Sequence, residues 1–106
     1  MNVDTHRILK INPAVQSVNE VVGEVEVTVD LPINFLRIKV FRVGKNAYLG
    51  KTNYAIKNPI QFEPYQPSHN PSKTIQKAIE EAVEGFMSFY DPKMKDETKF
   101  VIVENF

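Results

Sequence analysis

Hydrophobic and polar residues alternate strictly over two neighbouring stretches of this chain. In Glu24-Val25-Glu26-Val27-Thr28-Val29-Asp30 the three valines share one face and the polar residues the other. In Phe35-Leu36-Arg37-Ile38-Lys39-Val40-Phe41-Arg42-Val43, Leu36, Ile38 and Val40 share a face opposite Phe35, Arg37, Lys39, Phe41 and Val43. A period of two is the spacing of a strand with one buried and one open side. Between the arms lies Leu31-Pro32-Ile33-Asn34, whose Pro and Asn suit a turn. The pattern predicts an antiparallel hairpin with the valines, Leu36, Ile38 and Val40 turned inward. Glu24, Glu26 and Asp30 then stand across the strands from Arg37 and Lys39, each opposite-charge pair contributing about 0.2–1 kcal/mol. A slip of one residue would carry acids into the core, so the register is well specified.

Weaker patterns surround the hairpin. Residues 3–11, with Ile8, Leu9 and Ile11, read as a first strand stopped by Asn12-Pro13. Residues 14–20 read as a loop or irregular strand leading to Gly23, a candidate bulge. Gly44-Lys45-Asn46 is a turn, and Ala47-Tyr48-Leu49 a short third strand. Residues 50–59, polar and rich in Lys and Asn, read as an exposed loop anchored by Tyr54 and Ile56. Ile60-Gln61-Phe62 is a candidate edge strand, and Pro64, Pro67 and Pro71 forbid regular structure beyond it.

A helix is expected next, capped by Asn70 with Pro71 at its first position. Its stripe of Ile75, Ala78, Ile79, Ala82, Val83, Phe86 and Phe89 runs at three- and four-residue steps and stops at Tyr90-Asp91, before Pro92. Lys73, Gln76, Lys77, Glu80, Glu81 and Glu84 form its wet face, with Lys77 and Glu81 spaced to pair. Residues 92–99 are a charged connector, and Lys99-Phe100-Val101-Ile102-Val103-Glu104 a last strand or extended tail. The fold class that follows is a single α+β domain over residues 1–106. It is a twisted antiparallel meander of about four or five strands with one long helix of the C-terminal half packed on a face.

Composition narrows the function more than the fold. The 106 residues suffice for one small domain. Lys plus Arg total 13 and Asp plus Glu total 13, which argues against strong bulk attraction to nucleic acid or anionic lipid, so only a local basic patch could supply it. There is no Cys, which excludes disulfides, thiolate metal sites and a Cys nucleophile. Residues 1–7 are polar, unlike a secretory signal, and no apolar run reaches the ~20 residues that span a bilayer. The expected location is the cytoplasm, away from the membrane.

Enzyme motifs are missing: no Gly-rich phosphate loop, no Gly-x-Ser-x-Gly, no His-Glu-x-x-His. His6 and His69 are too few and too far apart for a local metal signature, and Glu80, Glu81 and Glu84 read as solvated helix face. The expectation is a protein without catalysis, cofactor, metal or small-molecule substrate. Phe35, Arg37, Lys39 and Phe41 are more informative, because sheets that bind single-stranded nucleic acid alternate rings for bases with cations for phosphates. The alternative is that Phe35 and Phe41 form an interface, packing under another layer or a partner subunit, while Arg37 and Lys39 pair with Glu24 and Glu26. A second basic group, Lys45, Lys51 and Lys57, with Arg42, Tyr48 and Tyr54 nearby in sequence, is either a phosphate grip or a solubilising loop.

The order of parts resembles the stage V sporulation protein G family of small bacterial regulators. The resembling residues are Val3-Asp4-Thr5-His6-Arg7-Ile8 as a first strand, the hairpin of 25–30 and 35–43, and Asn46-Ala47-Tyr48-Leu49-Gly50-Lys51 as an Asn-Gly-aromatic-apolar type of strand with a basic loop. Last comes Pro67-Ser68-His69-Asn70-Pro71, leading into a helix with Ile75, Ala78 and Val83. The likeness spans roughly residues 3–90 in layout. It implies a sheet with a helix, a homodimer formed by strand pairing, and sequence-selective DNA or RNA binding, with the basic loop mapping to Lys51 and Lys57. The chain departs from the family's Met-Pro-Ser-Lys-Arg pattern, reading Gly50-Lys51-Thr52-Asn53 instead, and a further segment follows Pro92. A nucleic-acid-binding regulator using Arg37, Lys39, Lys45, Lys51 and Lys57 is therefore the leading expectation. A protein interaction or assembly domain of bacterial or phage origin, working through Phe35 and Phe41, is the alternative.

Overall fold

The chain is an α+β fold, here a computed structural model that describes residues 4–60, 70–104 and 106. In order it forms helix α1 (Thr5–Leu9), strands β1 (Glu20–Val27), β2 (Leu36–Gly44), β3 (Ala47–Thr52) and β4 (Tyr54–Lys57), helix α2 (Ile75–Met87), a 3-10 turn (Pro92–Met94) and strand β5 (Lys99–Ile102). β1, β2 and β3 make an antiparallel meander with β2 central, while β4 and β5 pair antiparallel in a separate two-stranded sheet.

The hairpin forms with the expected faces turned inward and outward. Val25 lies opposite Ile38 and Val27 opposite Leu36, so one face of the meander is aliphatic. Leu36, Ile38 and Val40 are completely buried, each such side chain worth about 1.5–3 kcal/mol of transfer free energy. The pairing shifts between Val21 and Gly23, placing a bulge where Gly23 was expected to mark one. The connection is longer than a tight turn: pairing ends at Val27 and Leu36, and Val29, Leu31 and Ile33 fold back onto the core. Between β2 and β3 the chain reverses through Asn46 at φ 51°, a left-handed conformation that Asn tolerates better than most residues.

Helix α2 covers the aliphatic face. Phe86 and Ala78 are buried, and Ile79, Ala82, Val83 and Met87 pack with them around Leu36, Ile38 and Ile56. Gly50, on β3, admits the helix. A Cβ there would stand 2.8 Å from the Ala78 carbonyl oxygen and 2.9 Å from the Ala82 Cβ. A glycine inside a strand weakens it unless another backbone must come this close.

Five expectations are corrected. Residues 5–9 are helical, not a strand: the Asp4 carboxylate caps the Arg7 amide at 3.1 Å, and among the described residues no strand pairs with them. Residues 50–57 are not a loop, since β3 runs to Thr52 and β4 follows, with Ala55 and Ile56 buried. The helix starts at Ile75, with Thr74 as its cap (Lys77 N to Thr74 Oγ1, 3.0 Å) rather than Asn70. Ser72 is the reason: its N–H and C=O both bond Tyr48 at 2.8 Å, holding the preceding residues against the edge of β3. The helix ends at Met87, and Phe89 and Tyr90 leave the helical path to pack on the core. Glu81 takes a hydrogen bond from Ser72 Oγ instead of pairing with Lys77. The last strand is real and ends at Ile102. The candidate strand at 60–62, Pro64, Pro67 and His69 lie outside the described residues, Ile60 excepted, which is exposed.

Asn53 makes the corner between the two sheets. Its side chain accepts from Arg37 N at 2.8 Å and donates to Phe35 O at 3.0 Å, and its main chain bonds Arg37 and Val103. Two outcomes are expected in denaturant unfolding. Gly50→Ala, which forces Ala78 and Ala82 away, destabilises by about 1–3 kcal/mol. Asn53→Ala, which strands a main-chain donor and acceptor, destabilises by about 1–2 kcal/mol.

Candidate nucleic-acid interface

Because α2 covers one face of the meander, alternation sends every second residue of β1, β2 and β3 to the other. Three cross-strand rows result. Glu26 faces Arg37; Glu24, Lys39 and Lys51 line up across all three strands; and Val21, Phe41 and Leu49 do the same one row further along. This outer face carries four of the sequence-predicted residues, Arg37, Lys39, Phe41 and Lys51. Phe35 precedes β2 with the same alternation and is half exposed, at 50%.

The charges on this face are unevenly satisfied. The Arg37 guanidinium is bonded to Glu24 and lies 3.8 Å from Glu26, so it gathers both carboxylates. Lys39 turns the other way. Its Nζ donates to the main-chain oxygen of Phe106 and sits 4.3 Å from the centre of the Phe106 ring, a cation–π distance. Arg37 reaches the same ring at 5.9 Å. Asp30 lies beyond the end of β1 and takes no part in the pairing. Lys39 and Lys51 stand directly opposite one another, an arrangement of like charges that costs stability in a sheet. Together with Asn19, Val21, Phe41 and Phe106 they line an open depression of about 390 Å³, at the small end of ligand-site volumes.

The remaining predicted residues lie elsewhere. Lys45 is exposed in the turn between β2 and β3. Lys57 ends β4, paired with Lys99 in the other sheet, so it does not join the outer face. Tyr48 and Tyr54 are not stacking platforms beside these lysines. Tyr48 lies opposite Arg42, whose guanidinium sits 5.8 Å over its ring, and Tyr54 packs on the core. Arg42 also lies 3.9 Å from Glu20. Sequence reasoning passed over Asn19, Val21, Leu49 and Phe106. Val21 and Leu49 had a signal in the alternation of β1 and β3; Phe106 had none, since only the tertiary path brings residue 106 against β2.

What this face offers is two ammonium groups beside two aromatic rings in an open hollow. That set suits a phosphate and a flat ring on the same ligand. Among the described residues no cluster of His, Asp and Glu suits a metal ion, and no helix is long and apolar enough to cross a membrane. Comparison with protein-family models, with curated proteins and with solved structures finds no match, so the functional argument rests on the chemistry of this face.

The arrangement of Arg37 gives a stability expectation. Its partners are substantially exposed, and pairs of that kind are worth about 0.2–1 kcal/mol. The double substitution Glu24→Gln with Glu26→Gln is expected to leave the unfolding midpoint almost unchanged, measured by circular dichroism, while adding positive charge to the outer face.

Proposed function

We propose that the chain is a small nucleic-acid-binding protein, with a regulatory role of the kind the resemblance to the stage V sporulation protein G family implies. It takes single-stranded DNA or RNA on the outer face of β1, β2 and β3. The observation that carries this reading is the facing pair Lys39 and Lys51 beside Phe41 in one open depression. Cations placed against rings bind a strand by meeting phosphates and stacking bases, and stacking is worth about 1–3 kcal/mol per base. A duplex hides its base faces and would leave Phe41 without a role. The zero net charge of the chain makes this patch, rather than the whole surface, the source of attraction. Such a protein works in the cytoplasm.

The outer strand of the meander, β1, is an unpaired edge among the described residues. Pairing of β1 with a second copy would form the homodimer and leave the outer face accessible. A second reading, a protein interaction or assembly domain, is favoured by the exposure of Phe35 at 50%, beside β2, and of Val43 at 52%, near its end.

Fluorescence anisotropy with single- and double-stranded DNA and RNA across a salt series tests the proposal. Single strands are expected to bind more tightly than duplexes. Lys39→Ala and Lys51→Ala should each lower the slope of log K against log salt by about 0.7, the increment of one phosphate contact on a single strand. Lys57→Ala, in the other sheet, should leave the slope unchanged. No binding at ~50 mM salt, or binding indifferent to Lys39 and Lys51, would sink the reading in favour of the interaction domain.

A further inference from the structure

The depression on the outer face is lined partly by a residue from the far end of the fold. Phe106 is separated from Lys39 by most of the chain, yet its main-chain oxygen accepts from Lys39 Nζ and its ring lies 4.3 Å from that nitrogen. The same ring is within 5.9 Å of the Arg37 guanidinium. An oxygen acceptor and a flat ring on one residue repeat, on the chain itself, the two features that a nucleotide would bring. The ring faces the cation as a base would, and the oxygen accepts a hydrogen bond from the ammonium as a phosphate would.

We infer that Phe106 is an internal competitor for the nucleotide subsite formed by Lys39, Phe41 and Lys51, and that a single-stranded nucleic acid binds by displacing it. This inference rests on the nucleic-acid reading above and adds its regulation. The contact to be displaced is one half-buried cation–π pair and one hydrogen bond, whereas an incoming nucleotide supplies a phosphate charge and a stacking surface together. The energetic consequence is a modest reduction of affinity that any change withdrawing residue 106 would relieve. A ligand lacking a ring, such as inorganic phosphate, would compete only for the ammonium group and displace Phe106 poorly.

Two variants test the inference. Binding of a labelled oligothymidylate at ~50 mM salt is measured for the wild-type chain, Phe106→Ala and Lys39→Ala. Phe106→Ala is expected to bind roughly two- to fivefold more tightly, the equivalent of the lost cation–π contact, and Lys39→Ala more weakly. The chain contains no Trp, so Phe106→Trp gives a single indole reporter at the site. On adding oligonucleotide its emission should shift to the red and become more accessible to acrylamide, as the ring moves into water. If the wild-type chain binds but Phe106→Ala binds equally or less well, or the indole is quenched yet stays protected, residue 106 is a stacking platform or a bystander. The competitor role then falls while the nucleic-acid reading stands. If neither the wild-type chain nor Phe106→Ala binds, both fall together.

Discussion

The seating of α2 on Gly50 is the contact on which the rest of this structure depends. A mid-strand glycine contributes no side chain and loses more backbone freedom on folding than any other residue. Here the missing Cβ lets the Ala78 carbonyl and the Ala82 methyl approach the β3 backbone. That closeness brings Phe86 and Ile79 down onto Leu36, Ile38 and Ile56. A larger residue at position 50 would lift the helix and open the layer between it and the meander.

Once one face is sealed in this way, strand alternation leaves the outer face no choice of residues. Glu24 and Glu26 must share it with Arg37, Lys39 and Lys51. Geometry then divides the charges unequally, because the forked guanidinium of Arg37 can hold two carboxylates at once. Lys39 is left to the oxygen and ring of Phe106. A neutral chain thus carries a hollow lined by two lysines, and the hollow is aromatic because Phe41 stands one row further along the strand.

Much of this was legible in the residues. The hairpin, the faces of its strands, the Gly23 bulge, the short strand at Ala47 and the apolar stripe of α2 follow from the sequence pattern, since burial of one face leaves its mark at every second or every third and fourth position. The failures share a cause, which is that local polarity misleads where a partner is distant. Residues 50–57 look like a loop because Lys51, Thr52, Asn53 and Lys57 are polar. They are strands because β2 pairs with one half of the segment and β5 with the other. Asn70 and Pro71 look like the start of a helix, but the main chain of Ser72 is held by Tyr48 and the helix waits for Thr74. Residues 5–9 show the reverse, a helix set by the local cap at Asp4.

The candidate site divides along the same line. Sequence alone determined that Arg37, Lys39 and Phe41 share a face, because alternation along one strand is a local property of the backbone. Only the tertiary structure decided that Lys51 joins them and Lys57 does not, because that turns on which strand each segment pairs with. It decided as well that Arg37 is engaged by acids while Lys39 meets Phe106. Side chains far apart in the chain become neighbours through packing, and no spacing in the sequence encodes which of them will meet.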